Sequence, residues 1–182
     1  QTYPAKCEQC DRPLRTPVVC DFCHTLNASA TVKDYFELLG LPRRFDLDDE
    51  EIRRRFLALN RHIHPDFHAN ESPEVRELSI RISANVNDAY RTLRDLALRA
   101  AYLLELLGGR SSAQDKSVPE AFLGTMMMMQ EELADAKEAG DQAELDRLAT
   151  VLRTQRDGLL RRIGRLFAEH QEAVACAAVR DD

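Results

Sequence analysis

Turned by about 100° per residue, Ile52, Phe56, Leu59 and Ile63 fall on one narrow face, and Arg54 and Arg61 point away from it. The spacing predicts an amphipathic helix that starts at Asp48, with Glu51 as the other half of a capping box. It stops near His64, because Pro65 cannot continue a helix and pushes the residue before it toward extended backbone. Ser72-Pro73 is a cap followed by a first-turn proline, and it opens a second helix with Val75, Leu78, Ile82, Val86, Ala89, Leu93 and Leu96 inward. The two helices are expected to run antiparallel, with the apolar segment 34–41 lying across them to complete a small core. His64, Pro65 and Asp66 are then displayed on the connecting loop, while His62 and His68 read as plain surface residues.

Residues 97–107 continue as helix, with Ala101, Leu104 and Leu107 able to pack, until Gly108-Gly109 ends it. After a polar connection over 110–117, two long amphipathic patterns meet at Ala139-Gly140-Asp141 and predict a helical hairpin. Gly140 suits a left-handed helix end, and Asp141 with Glu144 makes a capping pair. Phe122, Met126, Met129, Leu133 and Ala136 face Leu145, Leu148, Leu152, Leu159, Ile163 and Leu166. The first helix of the hairpin has apolar residues left over. Leu123 and Met127 lie about 100° around from the core stripe, with Ala134 farther along and Gln130 and Glu131 flanking. Such a strip is a candidate docking surface; contact with the preceding domain, or with a second copy of the chain, explains it equally well.

Four of the five cysteines sit near the start, as Cys7-Glu8-Gln9-Cys10 and Cys20-Asp21-Phe22-Cys23. Two such knuckles, nine residues apart, suit four thiolates around one tetrahedral zinc ion. So few large apolar residues could not fold 1–30 without a cross-link, and metal binding supplies the missing free energy. Two disulfides would fit only an oxidising compartment, and a dithiol redox centre would need a thioredoxin-like framework, which the pattern lacks. Structural zinc is the preferred reading. His24 follows the last ligand directly, but four thiolates already close the shell. Cys176 reads as a small apolar residue on an alanine-rich helix, and 27–32 as a linker.

Composition narrows the class. The 182 residues carry a net charge of −6, no Trp and few aromatics, which points to a mostly helical protein of two or three small domains. The acidic balance argues against general nucleic-acid binding, though a zinc-ribbon nucleic-acid binder is a competing reading. No apolar run approaches the roughly eighteen residues a membrane span needs. The sequence begins with Gln, so further N-terminal residues are expected to precede it, a targeting segment being one candidate among them. With no phosphate-cradling Gly-rich loop, paired carboxylates or nucleophile and base at telling spacing, an adaptor is expected, not an enzyme.

One series of residues has a familiar order. Asp34-Tyr35-Phe36, Leu38-Leu39-Gly40-Leu41, a basic helix, His64-Pro65-Asp66, then Asn87-Asp88-Ala89-Tyr90 with Leu93 resembles a J domain, the module by which co-chaperones engage DnaK-type ATP-driven chaperones. The resemblance implies that His64, Pro65 and Asp66 contact the chaperone between its ATPase and substrate-binding parts, and that Arg54 and Arg61 meet an acidic patch on its ATPase domain. The segment from Arg99-Ala100-Ala101-Tyr102-Leu103-Leu104 to Gly108, followed by Ala121-Phe122-Leu123 and Glu131-Glu132-Leu133, is similar to the iron-sulfur cluster co-chaperone HscB family. That likeness spans roughly 34–170.

It implies a partner, the cluster-assembly scaffold protein, held through Leu123, Met127, Gln130 and Glu131 and brought to the chaperone, whose ATP hydrolysis is stimulated. Some members of the family carry a four-cysteine zinc segment before the J domain. Gly124 stands where the family has a larger apolar residue, and the sequence ends at Asp182 before the further C-terminal helix, with its aromatic, that the family usually has. A general J-domain co-chaperone for other clients is the alternative. The expected division is a zinc-ribbon-like segment at 1–30, a J domain at 31–107 and a C-terminal helical scaffold-binding domain at 108–182. The expected location is the cytoplasm in a bacterium or the mitochondrial matrix in a eukaryote.

Overall fold

The computed structural model describes residues 6–14, 16–27, 34–110, 114 and 116–180, with side chains as far as 173. It falls into two compact units, Gln1–Leu103 and Leu104–Asp182. The readings of the 27–32 linker and of Cys176 lie, except for Asn27, outside the described residues or side chains.

In the first unit, two isolated antiparallel bridges, Lys6 with Pro13 and Val19 with Leu26, bracket the two cysteine knuckles. The helices follow. Helix α1 (Tyr35–Leu39) is capped by Asp34, whose carboxylate accepts from the Phe36 N–H. Helix α2 (Asp49–Ile63) is capped by Asp48 at the Glu50 N–H, with three acidic residues in its first turn where the dipole favours them. The reciprocal half of the predicted capping box is replaced: the Glu51 carboxylate pairs with Arg54 and Arg55 one turn on. Pro65–His68 is a short 3-10 turn, and helix α3 (Pro73–Arg94) starts with Ser72 as cap and Pro73 in the first turn, as the sequence predicts.

The α2 and α3 seams pack together with α1 across them. Ile52, Leu59 and Ile63 meet Ile82, Val86, Ala89 and Leu93, all buried, along with Phe36 and Leu39 of α1. Phe56 is half-buried and stacks on Tyr90 at 4.1 Å. Leu96 is an exception to the predicted seam, being exposed, because α3 ends at Arg94. Asp95 turns extended and its carboxylate accepts from the N–H groups of Ala97 and Leu98, starting a separate helix α4 (Leu96–Leu106). The new direction exposes Ala101, Leu104 and Leu107, and it is Arg99, Tyr102 and Leu103 that turn inward. Gly108 and Gly109 end α4 with hydrogen bonds to the carbonyls of Glu105 and Leu104.

The second unit is the predicted hairpin of α5 (Glu120–Ala139) and α6 (Gln142–Arg180). Gly140 takes φ 66°, a conformation in which a side chain would be strained, and Asp141 accepts from the Glu144 N–H. On α5, Met126, Met129 and Leu133 are half-buried and Ala136 is buried, as expected, but Phe122 is exposed. On α6 the expected seam holds at Leu145, Leu148 and Ile163, while Leu152, Leu159 and Leu166 are exposed. Length explains part of this. At about 1.5 Å per residue, the 20 residues of α5 cover only the first half of the 39 in α6.

Candidate functional site

Pro65 has no N–H and stops α2, leaving the last carbonyls of that helix to find partners elsewhere. The Ile63 carbonyl is met from α3: the Ser79 hydroxyl donates to it at 2.7 Å and the Ser83 hydroxyl at 3.3 Å. Both serines are buried, and Asn87 donates to the Ser83 carbonyl at 2.9 Å. This small polar column ties the corner to α3. It was not singled out from sequence, although two serines four residues apart inside an apolar seam are a signal for it.

Past that tie the chain projects outward. The His64 Nδ1 accepts from the Asp66 N–H at 3.3 Å and lies 3.5 Å from the Asp66 carboxylate. The two side chains are 45% and 88% exposed, so the corner is presented, not packed away. Phe67, directly after it, is 70% exposed, an unusual state for a large aromatic. Arg54 and Arg61, two helical turns apart on α2, are both exposed, with Arg54 held by Glu51. The structure therefore brings His64, Pro65, Asp66 and Arg61 together at one end of the helix pair, with Arg54 farther back along α2.

The segment 99–102 closes the same unit. Arg99 is fully buried: its Nε donates to the Leu93 carbonyl at 2.6 Å, one terminal nitrogen to the Phe45 carbonyl at 2.9 Å, and the other to Asp49 at 3.1 Å. Tyr102 stacks on Tyr35 at 4.7 Å, and its oxygen accepts from the Tyr35 N–H at 2.9 Å. Burial first, and then the nearby Asp34 carboxylate, hold the Tyr102 hydroxyl above its ordinary pKa. Asp34 is itself buried and paired with Arg43. The Arg-x-x-Tyr spacing is thus a clasp that fixes α4 to α1 and to the start of α2.

The four cysteines converge, with their sulfurs all within 4.8 Å of one another. The two knuckles repeat one geometry. In each, the residue after the second cysteine donates its N–H to the carbonyl of the first, Asp11 to Cys7 and His24 to Cys20, at 2.9 Å. Those two residues take positive φ, 56° and 59°. Cys7 lies 3.6 Å from Cys23 and Cys10 lies 3.7 Å from Cys20, so each contact joins one knuckle to the other. Hydrogen bonds from the Thr25 hydroxyl and N–H lower the Cys23 thiol to about 6. Cys10 goes to about 12: the Arg12 hydrogen bond lowers it, but desolvation and the thiols of Cys23, Cys20 and Cys7 raise it further. The set can hold one metal ion in an all-sulfur shell, and binding must displace the protons it keeps.

His24 makes no part of that shell. Its ring stacks on His62 at 4.0 Å with an interplanar angle of 7°. His68 Nε2 lies 2.9 Å from the His62 carbonyl. His62 and His68 are therefore not the plain surface residues expected: both are half-buried, His62 beneath the His24 ring and His68 against the His62 carbonyl.

In the second unit Leu123, Met127, Gln130 and Glu131 are all exposed on α5, with Leu123 at 48% and Met127 at 64%. Met128 adds a further exposed apolar side chain. The leftover strip is thus uncovered within its own hairpin.

Two domain families match. Residues 34–102 match the DnaJ domain, a span that contains the exposed corner and helix α2. Residues 118–180 match the HSCB C-terminal oligomerisation domain. The co-chaperone protein HscB homolog of Ralstonia nicotianae is 37% identical over 80% of this chain and 84% of its own length, and that of Bordetella petrii is 37% identical over 81% and 87%. Among solved structures, the human co-chaperone protein HscB superposes with a TM-score of 0.76 at 27% identity, over 91% of this chain and 85% of that one. Chaperone HscB from Vibrio cholerae gives 0.69 at 32% identity, over 81% and 87%. The chain belongs to the HscB family of co-chaperones.

Proposed function

We propose that this chain recruits a DnaK-type chaperone through the His64-Pro65-Asp66 corner, stimulates its ATP hydrolysis, and delivers to it an iron-sulfur cluster scaffold protein for cluster transfer. One observation carries the reading: a corner tied from behind by Ser79 yet exposed at His64 and Asp66 is built for an external partner. Arg54 and Arg61 supply the positive face beside it, and exposed cations of this kind act mainly on encounter rate and orientation. The chain does no chemistry of its own; its effect is on the partner's rate of hydrolysis.

The scaffold is held on α5 by Leu123 and Met127, with Gln130 and Glu131 at the polar edge. An uncovered apolar strip rimmed by polar groups suits a protein partner. A second copy of the chain is the other partner with support, because Leu152, Leu159 and Leu166 form an exposed row seven residues apart on α6. The functional division is a metal segment at 1–30, a J domain at 31–107 and a scaffold-binding domain at 108–182.

Cys7, Cys10, Cys20 and Cys23 hold one structural zinc ion. A tetrahedron with Zn–S bonds of about 2.3 Å has sulfurs about 3.8 Å apart; two of the cross-knuckle separations are 3.6 and 3.7 Å, and all four sulfurs lie within 4.8 Å of one another. The protein works in the cytoplasm of a bacterium or in the mitochondrial matrix of a eukaryote, compartments that keep such thiols reduced. Steady-state ATP hydrolysis by the host's DnaK-type chaperone tests the reading. The chain should accelerate it and His64→Gln should remove the effect; an equal response from that variant refutes the mechanism.

A further inference from the structure

An open groove of about 890 Å³ runs beside the corner. One wall is the second knuckle, with His24, Thr25 and Leu26; the other is the start of α3, with Glu74, Val75 and Leu78. Phe67 and Arg61 also line it, and Phe67 directly follows Asp66 in the chain. The knuckle wall is fixed in place. The left-handed turn at His24 swings its ring onto His62, and His68 holds the carbonyl of that same residue.

Continuity decides the occupant. Phe67 follows Asp66 directly and is 70% exposed, so a partner that grips the corner reaches Phe67 next and then the groove. Leu26, Val75 and Leu78, each half-buried, extend that apolar surface inward. Glu71, just before α3, and Glu74 and Glu77 on its first turns give that wall an acidic edge, with Arg61 and Arg81 the cations of the lining. The groove therefore suits a segment that presents an apolar side chain with a basic group beside it.

We infer that the second cysteine knuckle is one wall of the chaperone-binding surface, so that the metal-holding segment takes part in gripping the DnaK-type chaperone as well as stabilising itself. This rests on the co-chaperone reading above, and the test separates the two. Affinity for the ATP-bound chaperone is measured with the full chain, together with bound metal, for wild type, His24→Gly, Leu26→Asp and His64→Gln. His24→Gly removes the stack but keeps the turn, since φ 59° suits glycine. Both knuckle variants should retain one metal ion per chain and bind the chaperone about fivefold or more weakly, the scale of losing part of a buried apolar contact. Should Leu26→Asp lose its metal, His24→Gly alone decides.

Metal-loaded knuckle variants that bind like wild type, while His64→Gln fails to stimulate, overturn this inference and leave the co-chaperone reading standing. A fully active His64→Gln overturns both. Self-association of the chain alone that Leu26→Asp abolishes would put a second copy in the groove and also overturn it.

Discussion

The Ser79 hydroxyl donates to the Ile63 carbonyl across 2.7 Å, joining the last turn of α2 to the second turn of α3 immediately behind the exposed corner. The turn at Pro65 creates the need for this bond: the Phe67 N–H that a continuing helix would aim at the Ile63 carbonyl goes to the His64 carbonyl instead. Removing the hydroxyl leaves a buried carbonyl with only the longer bond from Ser83. Ser79→Ala should cost about 1–2 kcal/mol in urea unfolding, and the Ser79→Ala, Ser83→Ala double variant more. ATPase stimulation by the double variant should fall further than its folded fraction does, because the corner loses its register.

Arg99 is the second structural dependence. Its side chain is 1% exposed and serves two carbonyls and the Asp49 carboxylate, so Arg99→Met strands buried acceptors. A loss of about 3 kcal/mol is expected in chemical denaturation. Lys at the same position should not restore it, because one ammonium cannot reproduce the fork.

These two residues show where sequence reading reaches its limit. The seam Ile52, Leu59, Ile63 was legible because a helix against one core repeats regularly. Arg99 was visible as part of a motif but not as buried, since a lone arginine is ordinarily a surface residue and its acceptors are backbone carbonyls as far away as Phe45. The stack of His24 on His62 was invisible for a related reason: it joins a knuckle to a helix end across a linker, and no periodicity encodes that. On α6 two apolar rows alternate, so period alone did not say that Leu152, Leu159 and Leu166 would face outward. The four-cysteine cluster was legible because ligand spacing is itself the signal.

His62 should titrate below the ordinary histidine value of 6.5, because burial disfavours its charged form and His24 adds repulsion. The folded chain then holds this proton less tightly than the unfolded chain. The neutral stack is sound above about pH 6.5, and stability is lost as pH falls through that value, where the unfolded state binds more protons. Imidazole NMR titration checks this, and in His24→Gly the His62 midpoint should move back toward 6.5.

The α5 strip makes the opposite kind of prediction. Leu123→Ala with Met127→Ala removes exposed side chains, so stability should change by no more than about 0.5 kcal/mol. Scaffold affinity should nevertheless drop about tenfold or more, as for central residues of a docking surface. Isothermal titration with purified scaffold separates the two effects.

The most direct measurement is the ATP hydrolysis rate of the DnaK-type chaperone with this chain alone, with scaffold alone, and with both. The account predicts a rate with both that exceeds the sum of the separate effects, abolished by His64→Gln, while the Leu123 and Met127 pair loses only the scaffold-dependent increment. A His64→Gln chain that still produced the full combined rate would contradict it.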